Sequence, residues 1–358
     1  MPALLARLQD QWPALATGTP PPVSGTVLGV DRAAVARVTM VLFAADGTPV
    51  AVAKCGRAAG AEQALVREHE ALRRLGSQLQ EPLRGSIPAA LLLDRVAGRL
   101  VLVQAALPGR PMTTAYYAPG HTSDPSAVAA DFTAAGQWLD AFQARTAQPG
   151  GEPLEVELKR LKTAYRDRVG WSVEEAQLFQ EMADRAAAMA AEPLPTVAVH
   201  GDFWPGNLLV GRAGLSGVVD WELARPSGHP YRDVLKFPMS YAFYLDRSCP
   251  WTGGRVAGHP GREDLSGRWR RFGSWPNLLG FGHAWFGAGW FPEQVRAFVE
   301  QREQQQGLTP LSRSVLFPAF LAEQALTLDV EQFREGYRCA LRAFAAERES
   351  SWVWNAAA

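Results

Sequence analysis

The hydrophobic period of this chain changes partway along it, and that change limits the architectures open to it. In "VARVTMVLFA" and "PVAVAKC" the apolar residues come in short, strand-forming runs. The linker "ADG" between them, with Asp46-Gly47, predicts two strands joined by a tight turn. "AALLLDRVAGRLVLVQAAL" predicts a second hairpin turning near Ala97-Gly98. Between the hairpins, "AEQALVREHEALRRL" sets Leu65, His69, Leu72 and Leu75 at helical spacing. A helix over residues 1 to about 18, with Leu4, Leu5, Leu8 and Trp12 on one face, is ended by the prolines of "TPPPVSG". From Asp124 onward the pattern is helical, in "SAVAADFTAAGQWLDAFQAR", "VEEAQLFQEMADRAAAMAAEP", "PEQVRAFVEQREQQQ" and "LAEQALTLDVEQFREGYRCALRAFAAERES". The expected fold class is therefore α+β: a small lobe with an antiparallel sheet over residues 1–104, then a larger, mainly helical lobe over 105–358. Residues 246–277, rich in Gly, Pro, Arg and Trp with neither period, read as an irregular insertion or lid.

With 358 residues, 47% of them apolar, the chain can fill two cores. Lys plus Arg equals Asp plus Glu at 36 each, so no global field draws it to nucleic acid or an anionic membrane. Cys55, Cys249 and Cys339 are odd in number, far apart and without metal-ligand spacing, which fits a reducing, cytoplasmic setting. The first residues lack a signal peptide's basic start and apolar core, and no stretch reaches the roughly 18 apolar residues of a spanning helix. A soluble protein with neither nucleic acid nor membrane as partner is expected.

The polar residues with most to say lie in "TVAVHGDFWPGNLLVGRAGLSGVVDWE", residues 196–222. His200-Gly201-Asp202 follows a short apolar run, Asn207 comes five residues after Asp202, and Asp220 closes another apolar run. An aspartate at a strand end is usually a turn residue. Here the spacing matches what phosphoryl transfer needs: a carboxylate for the acceptor hydroxyl and oxygen ligands for magnesium. The "NLLVGRAGLSGVVD" hairpin would bring Asn207 and Asp220 to face one point, while Glu222 could support a metal only indirectly. No G-x-x-x-x-G-K-[ST] loop exists, which argues against a Walker-type ATPase. "GFGHAWFGAGW" follows no strand and suits helix packing or a lid better than dinucleotide binding.

"HGDFWPGNLL" followed by "GVVDWE" resembles the aminoglycoside phosphotransferase and choline kinase superfamily, small-molecule relatives of the protein kinases. The resemblance implies a bilobal, protein-kinase-like fold using ATP, with GTP as an alternative donor, and Mg2+. It implies Asp202 as catalytic base, Asn207 and Asp220 as metal ligands, and His200 as a brace for its loop. Lys54, ending "VAVAK", would contact the nucleotide phosphates, with Glu68 or the nearby Glu70 as its ion-pair partner. Asp233 looks like the superfamily's structural aspartate, and in the hinge "VLVQAALPG" the backbone around Gln104, Ala105 and Ala106 would meet adenine. Two departures stand out. The nucleotide-covering loop expected in "VLGVDRAAVARV" has a single glycine, Gly29, and the helix after the hinge carries Gln143 where many relatives have histidine.

The implied reaction moves a γ-phosphoryl group to a hydroxyl of an amino alcohol, sugar or antibiotic-like molecule. The alternative is a nucleotide-binding pseudokinase. A protein kinase proper fits less well, since the loop reads His-Gly-Asp and no Ala-Pro-Glu follows Asp220. Arg247, Arg255, Arg262, Arg268, Arg270 and Arg271 outnumber the acids of the insertion, which favours a neutral or anionic acceptor. Its tryptophans, and Trp285 and Trp290 beyond, suit core packing better than a cation box. Neither the acceptor nor the oligomeric state is written in these motifs.

Overall fold

A computed structural model describes the chain apart from residues 31–36, 190–193, 213, 249–268, 270, 274–277, 329 and 356–358. The chain divides into two compact units: Met1–Arg110 with His200–Asp202 and Asn207–Pro226, and Pro111–Val199 with Phe203–Gly206 and Ser227–Ala358.

The first unit is built on a five-stranded sheet of β1 (Ser24–Val30), β2 (Arg37–Phe43), β3 (Pro49–Gly56), β4 (Ala90–Val96) and β5 (Arg99–Ala105), in the order β1-β2-β3-β5-β4. All neighbouring pairs are antiparallel. The expected turns have a clear physical basis. Gly47 sits at φ 83°, and the Thr48 N–H donates to Asp46 Oδ1 at 2.9 Å. Ala97 and Gly98 both take positive φ, 49° and 79°, as a two-residue hairpin turn requires.

Helix α1 (Pro2–Leu15) lays Leu4, Leu8 and Trp12 on Met40, Leu42, Ala51, Ala53, Val101 and Val103. Because side chains alternate along a strand, the residues between these point to the other face. That face carries Thr39, Lys54 and Leu102, which are direct cross-strand neighbours. It is partly covered by α2 (Ala59–Gln78), whose buried residues Ala61, Ala64, Leu65, Glu68, Ala71, Leu72 and Leu75 form one stripe. Glu68 lies in phase with that stripe. Strand β1 has no counterpart in the periodicity reading. It is an edge strand with Val27 and Leu28 exposed, so no alternation marks it.

The second unit is helical. Its α3 (Pro125–Thr146) is capped by Asp124, which accepts from the Ser126 and Ala127 N–H groups. It is followed by α4 (Leu154–Arg168) and by α5 (Val173–Ala188), which opens with a reciprocal Ser172–Glu175 capping box. After a short strand β6 (Val197–Val199) come α6 (Tyr231–Ser248), α7 (Leu278–Phe286), α8 (Trp290–Gln306), α9 (Pro310–Thr327) and α10 (Glu331–Glu347). The long helical run at residues 321–350 is thus divided, α9 ending at Thr327 and α10 starting at Glu331.

Helix α6 buries Val234, Leu235, Phe237, Met239, Tyr241, Ala242, Phe243 and Leu245 together with the polar Asp233, Lys236 and Ser240, so its polar side is enclosed as well as its apolar one. Gln143 donates to the Pro230 carbonyl at 3.0 Å, just before α6 begins. The glycines of α7 allow close packing. A Cβ at Gly280 would lie 1.9 Å from the Ala242 carbonyl oxygen, and one at Gly282 would lie 2.3 Å from the Trp269 indole. Trp269 and Trp285 are fully buried among phenylalanines, in core packing. Trp251, Trp275 and the lid arginines Arg255, Arg262, Arg268 and Arg270 lie outside the described residues. No helix among the described residues is long and apolar enough to cross a membrane.

Candidate active site

The segment from His200 to Asp220 is arranged by its own backbone needs. The Asp202 N–H donates to His200 Nδ1 at 3.2 Å, so the proton of the imidazole sits on Nε2, 3.0 Å from the Val219 carbonyl. His200 thereby spans from the loop to the residue before Asp220. Between His200 and Asp202, Gly201 holds φ at 84°, and a Cβ there would lie 2.5 Å from the Leu223 carbonyl oxygen. Only glycine satisfies both conditions without displacement of the loop.

Asn207 Nδ2 donates to the Asp202 carbonyl at 2.9 Å and to Asp202 Oδ2 at 3.1 Å. Both amide hydrogens are directed at Asp202, so the amide oxygen is the acceptor left for a cation. Strands β7 (Leu208–Gly211) and β8 (Gly214–Val218) pair Leu208 with Val218, and the Val219 N–H donates to the Asn207 carbonyl at 3.0 Å. That register sets Asn207 and Asp220 at the same end of the hairpin. Asp220 itself is left-handed at φ 70°, a conformation costing an L-residue about 1–2 kcal/mol, which aspartate tolerates better than most.

On the sheet side, Lys54 Nζ donates to Glu68 Oε1 at 2.6 Å and to Asp220 Oδ1 at 2.7 Å. The Trp221 N–H also reaches Glu68 Oε1, at 3.3 Å. Glu68, not Glu70, is therefore the partner of Lys54, and its phase in the apolar stripe of α2 was the signal that separates them. The second oxygen of Glu68 is buried and has no hydrogen-bond partner among the described residues.

Arg37, at the start of β2, joins the cluster without having been singled out from the sequence. Its Nη2 donates to Asp220 Oδ2 at 3.2 Å and its Nη1 to Glu222. The available signal was strand parity: Arg37 and Thr39 alternate with Val38, which places a cation on the Lys54 face.

These contacts fix the electrostatics. Burial works to discharge Lys54, but the Asp220 and Glu68 carboxylates outweigh it and leave the ammonium pKa raised. Burial likewise pushes Asp220 up, and Lys54 and Arg37 overcome it, holding the carboxyl far below its usual range. Glu222 shifts upward, through burial and then repulsion from Asp220.

Of the other expected residues, Gln104 is buried on β5, with Oε1 lacking a hydrogen-bond partner among the described residues. The N–H groups of Ala105 and Ala106 donate to the Ala89 and Val50 carbonyls at 2.9 and 3.2 Å. Asp233 is buried in the first turn of α6, in the second unit.

The donor set was tested for a metal. No cluster of three His, Cys, Asp or Glu among the described residues could hold one. What the hairpin end offers is one carboxylate, Asp220, a quarter exposed, and one amide oxygen, Asn207. Two hard oxygens, with the remaining positions left to water and phosphate, suit Mg2+ and would not suit zinc.

A small antiparallel-sheet lobe, a larger helical part and a lysine joined to a hairpin-end aspartate define the class, a protein-kinase-like small-molecule phosphotransferase. The chain belongs to the phosphotransferase enzyme family, whose sequence model matches residues 36–268. Among solved structures, a thermostable mutant of aminoglycoside phosphotransferase APH(4)-Ia in its apo form aligns with TM-score 0.55 at 12% identity, covering 92% of this chain and 96% of that one. A mutant of the same enzyme in ternary complex with ADP and hygromycin B aligns with TM-score 0.53 at 14% identity, covering 94% and 98%. A putative fructosamine-3-kinase from Thermobifida fusca aligns with TM-score 0.53 at 16% identity, covering 97% and 99%. At these identities the likeness is one of fold. No curated protein sequence matches the chain.

Proposed function

We propose that this protein transfers the γ-phosphoryl group of ATP, with GTP as an alternative donor, to a hydroxyl of a small molecule. The observation that carries the reading is the continuous set of bonds from Glu68 through Lys54 to Asp220, beside an Asn207 whose amide nitrogen is spent on Asp202. A pseudokinase would be expected to have lost at least one of these groups.

In this reading the acceptor oxygen attacks the γ-phosphorus as the bond to the departing diphosphate oxygen breaks, and the hydroxyl proton passes to the Asp202 carboxylate. Asn207 holds that carboxylate through one hydrogen bond and its loop carbonyl through another, while His200 braces the same loop from behind. Lys54 holds phosphate oxygens, kept cationic and positioned by Glu68. Asp220 and the Asn207 amide oxygen would hold Mg2+, which when bound would neutralise phosphate charge. The Gln104–Ala106 segment would receive the base, through groups other than the Ala105 and Ala106 N–H, which donate to the Ala89 and Val50 carbonyls. Asp233, buried in the first turn of α6, is proposed as the family's structural aspartate. Amino alcohols, sugars and antibiotic-like molecules are the acceptor classes proposed, consistent with a neighbour that holds ADP together with hygromycin B.

The test is coupled nucleotide turnover with Mg-ATP and Mg-GTP over a panel of hydroxylated metabolites and antibiotics, beside Asp202→Asn. A phosphorylated product that disappears in the variant is the expected result. Tight Mg-ATP binding with no transfer to any acceptor would favour the pseudokinase, and equal turnover in the variant would remove Asp202 from the chemistry.

A further inference from the structure

Asp220, the proposed metal ligand, has both carboxylate oxygens covered by the protein's own cations. Lys54 donates to Oδ1 at 2.7 Å and Arg37 to Oδ2 at 3.2 Å. A lysine on this aspartate serves the phosphates nearby, but an arginine on the second oxygen sits where a divalent cation would compete with it. Arg37 also donates to Glu222, so its guanidinium bridges the two carboxylates that follow β8. Among the described residues, Arg37 and Lys54 are set against Glu68, Asp220 and Glu222, one cation short, and without Arg37 the count would be two short. Such a deficit is unfavourable at the low exposure of these groups, since Arg37 is 12% exposed and Glu222 20%.

Arg37 stands where the chain enters β2, inside the segment "VLGVDRAAVARV" expected to carry the nucleotide-covering loop. Strand alternation puts it on the Lys54 face of the sheet. A planar guanidinium there can donate to carboxylates, or two at a time to phosphate oxygens, with little change of backbone.

We infer that Arg37 is a positioning residue that stands in for the divalent cation in the ligand-free protein, neutralising Asp220 and Glu222, and that it transfers to the nucleotide phosphates when metal occupies Asp220. This inference rests on the proposed phosphotransferase reading and adds an exchange to it. Two anionic partners compete for one guanidinium, and arrival of the dication at Asp220 reverses which is preferred. Metal and nucleotide would thus enter as a coupled pair, because the metal displaces Arg37 and the phosphates receive it.

The full chain, without nucleotide, would be titrated with Mn2+ as probe and binding followed by electron paramagnetic resonance, for the wild type, Arg37→Gln, Arg37→Lys and Asp220→Asn. Removal of the competing charge should tighten Mn2+ binding by about tenfold in Arg37→Gln, with Arg37→Lys falling between. With Mn2+ saturating, Arg37→Gln should weaken ADP binding, measured calorimetrically, by about the same factor. Opposite signs for metal and nucleotide are the signature, since a merely structural clasp would weaken both. Unchanged or weaker Mn2+ binding in Arg37→Gln, or unchanged ADP affinity, overturns the inference. If Arg37→Gln does not fold, Arg37→Lys carries the same comparison with a smaller shift. Mn2+ binding that persists in Asp220→Asn would instead refute the metal assignment itself, and with it this exchange. Loss in Asp220→Asn with no response to Arg37 refutes the exchange alone.

Discussion

Each compact unit buries a cluster of charges, and the two clusters respond to burial in opposite directions. In the first, ion pairing prevails at Lys54, which is raised, and at Asp220, which is held far down, so both stay charged, while burial wins only at the neighbouring Glu222. In the second, Arg302 of α8 donates to Asp140 of α3 at 3.0 Å and to the Phe298 carbonyl at 2.8 Å, while Arg313 of α9 pairs with Glu303 at 3.3 Å. There burial prevails, lowering Arg302 and raising Asp140 and Glu303 against the pull of their partners. The difference lies in the number and approach of partners. Asp220 receives two cations on separate oxygens, whereas Asp140 receives one arginine and a distant Gln305. Buried charge by itself therefore does not mark a site; an aspartate kept ionised by a cation on each oxygen, with one side open, does.

The contrast can be broken by removing one cation from each cluster. Lys54→Met should lower turnover per folded molecule by about 10²–10³-fold in a coupled assay, and should also cost about 3–5 kcal/mol by urea denaturation, because Glu68 is left buried without its cation. Arg302→Met should cost stability alone, about 1–3 kcal/mol by urea denaturation, because Asp140 loses its arginine and keeps only Gln305, with turnover per folded molecule unchanged. If Arg302→Met removed activity at full stability, the division between a functional and a structural cluster would be wrong.

Gly201→Ala sharpens the same comparison at the backbone. The positive φ and the approach to the Leu223 carbonyl should cost about 1–3 kcal/mol and displace Asp202, reducing turnover more than stability. At Gly136 of α3, a Cβ would lie 1.9 Å from the Arg302 guanidinium, so Gly136→Ala should cost about 1–3 kcal/mol and leave turnover untouched.

The smallest expected effect is on pH dependence. Burial pushes His229 down from 6.5 to about 3, its Nδ1 accepts from the Tyr231 N–H, and its Nε2 has no hydrogen-bond partner among the described residues. A histidine with a depressed folded pKa stays neutral in the native state while the unfolded chain takes up a proton. Its contribution is complete above pH 6.5 and is lost as pH falls from there toward about 3. Denaturation midpoints should show a loss of roughly 1 kcal/mol between pH 7 and pH 5.5 that is absent in His229→Gln.

Much of the framework was legible because it rests on local rules. The hairpins at Asp46-Gly47 and Ala97-Gly98 follow from residues that accept positive φ, and the stripe of α2 from a fixed spacing. What escaped had no local signature. Strand β1 buries too little to alternate, α6 holds Pro238 within it, and the polar α4 carries only Leu158 and Tyr165 into the core. The junction between α9 and α10 lacked a strong breaker in the run that spans it.

The sequence by itself determined the spacing of His200, Asp202, Asn207 and Asp220, because a strand, a loop and a short hairpin can be counted along the chain. It favoured Glu68 over Glu70 only through the phase of the α2 stripe, and could not show that Glu68 meets Lys54 or that Arg37, more than 180 residues away, covers the second oxygen of Asp220. Those assignments depend on which face of the sheet meets α2 and on the distances between charges far apart in sequence. Electrostatic energy depends on separation and solvent exposure, and only the tertiary structure sets either.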